Sequence, residues 1–193
     1  MMKLVMAWFF RGFDACHVPR LFEFIWHILT KVSALSETEI NAASSVLGAS
    51  AIRYSAVRIA EGGLLWFIFR LNKKRAFTTF HTINLPVSGA NSRSHLDIIV
   101  HELIHVYQFE LAGSIYIWQA LQAQRATGYR YGGWRQLEED WNNGKHFHDY
   151  NREQQGQIAQ DYYNEVIVKE LSDEDPVCHA YKPFIGELRN RVL

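Results

Sequence analysis

The ten residues from 101 to 110, HELIHVYQFE, place two histidines four apart with a glutamate directly after the first. On a helix this spacing stacks His101 and His105 one turn apart, so both imidazoles can reach one ion. Zinc suits the arrangement: two neutral imidazoles fill two corners of a tetrahedron, a third protein ligand fixes the ion, and water keeps the fourth corner. Glu102 then stands where it can take a proton from that water, which is the chemistry of zinc-dependent hydrolysis.

A third ligand has to come from farther along the chain. Leu111 occupies the place where a metzincin carries its third histidine, which excludes that solution. Glu153, in YNREQQGQIAQDYY, opens a later helix on a face shared with Gln157, Gln160 and Asn164. Gly156 removes bulk there, where two helices could approach closely. His146 and His148, in GKHFHDYN, are the competing candidates. Histidine is the commoner ligand type, but the glutamate has the more rigid scaffold. Asp97 and Asp161 are candidates to orient the imidazoles, and Tyr129, Tyr131, Tyr150 and Tyr163 are candidate donors to a developing oxyanion. His81, His95 and His179 carry no assigned role.

The elements that would position these groups can be read from period and punctuation. Residues 18–33 carry Leu21, Phe24, Ile25, Ile28, Leu29 and Val32 at helical spacing after Pro19. Ser36 with Glu39 forms a capping box for a short helix that Gly48 ends. From 51 to 86, AIRYSAVRIA, LLWFIFRLN and AFTTFHTINLP are rich in β-branched and aromatic residues and predict two or three strands with a hairpin.

Ser94 caps a helix over about 95–111, with Leu96, Ile99, Val100, Leu103, Ile104, Tyr107 and Leu111 on one side and both histidines on the other. IYIWQALQAQRA predicts a second helix, and 127–150 reads as a long connection in which Trp134 and Trp141 could line a groove. Asn151 with Gln154 opens a third helix running to about Leu171, and the tail ends in a short helix. The expected fold is α+β: a small antiparallel sheet followed by a helical zincin-like core. The expected organisation is an apolar helical extension over 1–34, a metal-binding domain over 35–171 and a tail over 172–193.

Taken in order, SETEINAASSVLG, AFTTFHTINLP, HELIHVYQ, ALQAQ, GYRYGG and YNREQQGQIAQDYY resemble a group of uncharacterised bacterial zinc metallopeptidases. Some of that group are Vgr-related and lie near secretion or phage-tail-like loci. The resemblance covers about residues 35–165, and its specific part is HELxHVxQ, then ALxAQ, then YNxEQQ. It implies a gluzincin-like fold in which His101, His105 and Glu153 hold zinc and Glu102 is the base. Gly156 stands where the family carries alanine, and the helix at 18–33 is longer and more apolar than the family leads one to expect. The implied activity is cleavage of a peptide or protein substrate. The alternative is a non-catalytic zinc-binding adaptor of a secretion or phage-tail-like system, its fourth ligand being His146 or His148.

Composition limits the remaining classes. The 193 residues balance 20 Lys and Arg against 20 Asp and Glu, so nothing predicts nucleic-acid binding. Cys16 and Cys178 are too few for a disulfide framework. The apolar start MMKLVMAWFF is ended by Arg11, too short to span a bilayer and without a small-x-small cleavage pattern. A cytoplasmic protein, or one exported without a cleaved signal peptide, is therefore expected. The aromatic helix at 18–33 is the candidate contact to a secretion-system or membrane-surface partner.

Overall fold

The computed structural model describes residues 2–125 and 128–191. In chain order the elements are α1 (Met2–Ala15), α2 (Val18–Leu29), β1 (Lys31–Ala34), α3 (Glu37–Leu47), β2 (Arg58–Glu61), α4 (Leu65–Leu71), β3 (Phe77–Thr79) and β4 (Thr82–Leu85). They continue with α5 (Leu96–Ala112), α6 (Ile115–Arg125), α7 (Trp134–Asn142), α8 (Arg152–Tyr162) and α9 (Pro176–Arg189). A π-helical turn, Tyr163–Ile167, extends α8. The fold class is α+β, as the sequence predicts.

Several boundaries differ from the expected ones, each for a local reason. The helix over 18–33 stops at Leu29: Thr30 turns extended, its hydroxyl donates back to the Trp26 carbonyl, and Lys31–Ala34 joins the sheet. LLWFIFRLN is helix α4 rather than strand. Leu65 and Phe69, one turn apart, are buried with Trp26 and Ala60, and Ile68 packs partly buried against them, while Trp66 and Phe67 face outward. The 127–150 connection contains α7, opened by Gly133 at a positive φ that only glycine adopts freely and anchored by the buried Leu137.

The helix expected to run to Leu171 is α only as far as Tyr162. The segment expected as a tail is α9, a helix of 14 residues that Asp175 caps by accepting from the Val177 amide. Its Tyr181, Phe184 and Leu188 are fully buried in the core shared by α3, α5 and α8.

The sheet has the order β1-β2-β4-β3. It is mixed rather than wholly antiparallel: β1/β2 and β3/β4 are antiparallel, but β2 and β4 run parallel, with Ile59 opposite Ile83 and Ala60 opposite Asn84. Parallel neighbours need a crossover, and α4 with β3 supplies it. Alternation then assigns the two faces. Ile59, Ile83 and Leu85 point into the core against α3 and α5. Ala60, Thr82 and Asn84 point the other way, under α2 and α4, where the Trp26 indole donates to Asn84 Oδ1 at 2.7 Å and His27 meets the Thr82 hydroxyl at 2.9 Å.

Arg93 fixes the loop that delivers α5. Its guanidinium grips the Glu39 carboxylate with two hydrogen bonds, 2.6 and 2.8 Å, and also reaches the Ser33 hydroxyl and the Ala34 carbonyl. The same Glu39 closes the cap of α3 on the Ser36 amide, so helix start, edge strand and α5 approach share one carboxylate.

Candidate metal centre

α5 and α8 lie antiparallel, as their end contacts require. Asp97 at the start of α5 accepts from Gln160 and Asn164 beyond the middle of α8, and Gln108 near the end of α5 donates to Arg152 and Gln155 at the start of α8. α5 is buried on every side from Ile99 to Gln108, so its histidine side faces another helix rather than solvent. What covers that side is itself polar.

Between those ends the structure brings together His101, His105 and Glu153. One ligating atom from each lies within 4.8 Å of the others, and all three residues are buried. Glu153 Oε2 stands 3.7 Å from His101 Nε2 and 3.8 Å from His105 Nε2. Ligand atoms at zinc bond lengths stand about 3.4 Å apart in a tetrahedron, so Glu153 Oε2 is within a few tenths of an ångström of that spacing from each imidazole. Two nitrogens and one carboxylate oxygen are also the donor chemistry that zinc accepts, so the residues present fit the metal.

Gly156 makes the approach possible. A Cβ at this position would meet the His101 ring at 2.7 Å from Cε1, 2.8 Å from Nε2 and 3.0 Å from Nδ1. The imidazole therefore lies against bare α8 backbone one turn after Glu153. His101 Nδ1 is buried without a hydrogen-bond partner.

A chain of amides fixes His105 instead. Gln155 Nε2 donates to the Phe147 carbonyl, leaving Gln155 Oε1 to accept from Gln108 Nε2, which also donates to the Arg152 carbonyl. Carbonyls only accept, so Gln108 Oε1 must face His105 Nδ1, 2.9 Å away, and accept a hydrogen bond from its N–H. His105 Nε2 is thereby the atom that points at Glu153.

Burial opposes charge on His105, but the Glu153 carboxylate beside it, with Glu102 adding, overrides this and pushes its pKa up to about 9 in the metal-free protein. Burial likewise opposes charge on Glu153, yet His105 and His101 hold its carboxyl well below the usual range. Gln124 Nε2 donates to its other oxygen at 2.9 Å. Glu102 is held by the Thr78 hydroxyl, 2.7 Å from Oε2.

A cavity of about 340 Å³ opens on Glu102, His105 and Glu153, walled by Ile68, Phe77, Ile117, Leu121 and Tyr129. A larger cavity of about 760 Å³ lies elsewhere, around Arg20, Glu23, Arg53, His81 and Glu110. Its carboxylates are occupied: Glu110 pairs with His81 and Arg53, and Glu23 accepts from the His81 amide and the Thr82 hydroxyl.

The other expected site residues are placed as follows. His146 and His148 stack on each other outside the group, and His146 Nδ1 bonds to Glu187 at 2.5 Å, so neither is a ligand to this centre. Asp97 and Asp161 serve amides and the Tyr131 hydroxyl rather than imidazoles. Of the four tyrosines only Tyr129 stands at the site, its ring 5.6 Å from that of His101. Burial and then the charge of Glu153 push its pKa up, which keeps the phenol protonated. Tyr150 bonds to Asp140.

Trp141 packs on Phe184 and His146, and Trp134 on the core, so neither lines the cleft. The supporting groups Thr78, Gln108 and Gln124 carried no assigned role. For the two glutamines a signal existed: Gln108 lies one turn after His105, and Gln124 ends the ALQAQ motif. No family model, curated protein or solved structure matches the chain.

Proposed function

We propose that the chain is a zinc-dependent hydrolase that cleaves a peptide bond. The observation that carries this reading is the buried His101, His105 and Glu153 triad, with Glu102 beside it, at one end of a half-open apolar cleft. Zinc held by the three residues would supply a Lewis acid that polarises a carbonyl and lowers the pKa of a bound water.

The chain's own groups account for the rest. Glu102, steered by the Thr78 hydroxyl, takes a proton from the attacking water and returns it to the leaving amine. Tyr129, kept protonated, offers its hydroxyl to the oxygen on which charge develops. Ile117, Leu121 and Phe77 favour apolar side chains next to the cleaved bond and exclude bulk water. The adaptor reading is less well supported, because it needs a fourth protein ligand and neither His146, bonded to Glu187, nor His148 belongs to the buried group.

The test is metal content by mass spectrometry on wild type, His105→Ala and Glu153→Ala, together with hydrolysis of a fluorogenic peptide library. Wild type should hold close to one zinc and both variants little. Glu102→Gln should keep its zinc while turnover falls by about 10²–10⁴. A Glu102→Gln protein as active as wild type removes the peptidase reading.

A further inference from the structure

The side of α2 and α4 that faces away from the sheet is apolar and uncovered. Both helices use one side on the sheet, through Trp26 and through Leu65 and Phe69, and present the other to solvent. Phe24, Ile28, Phe67 and Leu71 are exposed to 66, 69, 61 and 84 %. Leu21, Ile25 and Trp66 join them, with Val5, Trp8 and Phe9 on α1.

The two helices are locked at one level. The Leu64 amide donates to the Leu29 carbonyl at 3.1 Å, and Gly63 leaves no room for a Cβ, which would stand 2.5 Å from that carbonyl oxygen. α1 is tied in by Asp14, whose carboxylate caps Ser114 at the start of α6. Such an expanse of apolar surface calls for a partner.

Charge identifies the partner. Residues 5–36 and 62–92 contain seven Lys and Arg against two carboxylates, Asp14 and Glu23, a net +5 in a chain whose formal charge is zero. The two carboxylates are both engaged inward, on Ser114 and on His81 with Thr82. Arg70, Lys73, Lys74 and Arg75 follow one another at the end of α4 and in the next turn, all exposed, with no acidic residue between Gly62 and Leu96. A second copy of the same face would set this excess of positive charge against itself, which opposes self-association through it.

Aromatic and aliphatic side chains rimmed by lysine and arginine are the composition of an interfacial anchor that sinks into the headgroup region while its cations meet anionic lipid. No described helix is long and apolar enough to cross a membrane. We propose that α1, α2 and α4 dock the protein in the plane of an anionic bilayer surface, with or without metal bound. Ile68 and Asn72, on the inner side of α4, line the cleft, so docking holds the cleft mouth beside the membrane.

Flotation of the full-length protein with large unilamellar vesicles tests this. Vesicles of three parts phosphatidylcholine to one part phosphatidylglycerol should carry the protein up, with a blue shift of tryptophan emission, and phosphatidylcholine alone should bind it at least about tenfold more weakly. Adding salt to about 0.5 M should weaken the anionic binding. Phe24→Glu/Ile28→Glu and Phe67→Glu/Leu71→Glu should each release the protein. These side chains are exposed, so circular dichroism and melting temperature should stay at wild-type values. Lys73→Glu/Lys74→Glu should cut anionic-vesicle affinity by about tenfold or more.

Failure of the wild type to float with anionic vesicles overturns the proposal. So does equal flotation by the two apolar double variants. A concentration-dependent dimer, in ultracentrifugation without lipid, that the same variants abolish would assign the face to a second copy instead and overturn it too.

Discussion

Gly156→Ala sets two effects of known sign against each other. Gly156 sits inside α8, where alanine is the better helix former by about 0.8–1 kcal/mol, so propensity alone predicts a more stable protein. The structure predicts a damaged site. The new methyl would stand 2.7 Å from His101 Cε1, whereas ordinary contact begins at 3.4 Å, so the ring has to retreat by about 0.7 Å. Backbone shift is restricted, because α5 and α8 are pinned at both ends by the Asp97 and Gln108 contacts. Rotation of the imidazole is the cheaper response, and it carries Nε2 away from Glu153 Oε2. Metal–ligand distances tolerate about 0.2 Å, so a displacement several times larger should lower zinc affinity by about 10–100-fold, or about 1.4–2.7 kcal/mol. Competition against a chromogenic chelator reads the affinity and calorimetry reads the melting temperature of the metal-free protein. A variant that binds zinc as tightly as wild type would refute the reasoning that Gly156 exists to seat His101, whatever its melting temperature does.

Gln108→Leu removes the acceptor of His105 Nδ1 and the donor to Arg152 and Gln155, and should lower zinc affinity by about 10–100-fold. Gln108→Glu keeps the acceptor, so it should retain more of the affinity in the same competition assay. Because the metal-free His105 pKa is pushed up to about 9, zinc uptake at pH 7 should release close to one proton, falling toward none above pH 9; titration calorimetry in buffers of different ionisation enthalpy reads this number. The same shift makes the metal-free fold pH-sensitive. His105 contributes stability that is complete below its ordinary value of 6.5 and lost as pH rises through about 9, at most about 3 kcal/mol. Glu153, depressed, contributes stability present above 4.5 and lost in acid, so melting temperature with EDTA should fall from pH 6.5 to 9 and not rise. Arg93→Ala strands the buried Glu39 carboxylate. Because Arg93 is itself partly exposed, the cost should be about 2–3 kcal/mol, a drop of roughly 5–10 °C in melting temperature.

Which residues the fold brings together was legible because chemistry constrains residue type and spacing more tightly than hydropathy constrains an element. His101, His105 and Glu102 follow from helical geometry alone, and Asn151 with Gln154 announces the helix that brings Glu153. Elements differ from the expected ones where the local pattern is ambiguous. LLWFIFRLN is apolar on every side, so nothing local separates strand from helix; the sheet underneath decides, by taking Leu65 and Phe69, with Ile68 partly buried beside them, and leaving Trp66, Phe67 and Leu71 exposed. Val32 continues the helical stripe of α2 in sequence, yet pairing with Ala60 wins once Thr30 turns extended. In α7, Trp134, Leu137 and Trp141 do carry helical spacing, but a flanking glycine pair and polar neighbours masked it.

The same blindness explains why α5 reads as amphipathic although it is buried all round. Its polar side meets α8, whose REQQGQIAQDY is polar as well, so hydropathy counts two surfaces where the fold makes one interface. Buried polar groups have to be satisfied, and each end of this interface manages that with neutral amides: Gln160 and Asn164 on Asp97, Gln155 on Gln108. The middle cannot be closed that way. A buried carboxylate between two imidazoles requires a positive charge, and in the metal-free protein the proton held by His105 supplies it. That proton meets Glu153 only across 3.8 Å and leaves His101 Nε2 3.7 Å from the same oxygen. A divalent cation would draw on both imidazoles and the carboxylate at once, which is the physical reason for proposing that this interface binds a metal rather than serving helix packing alone.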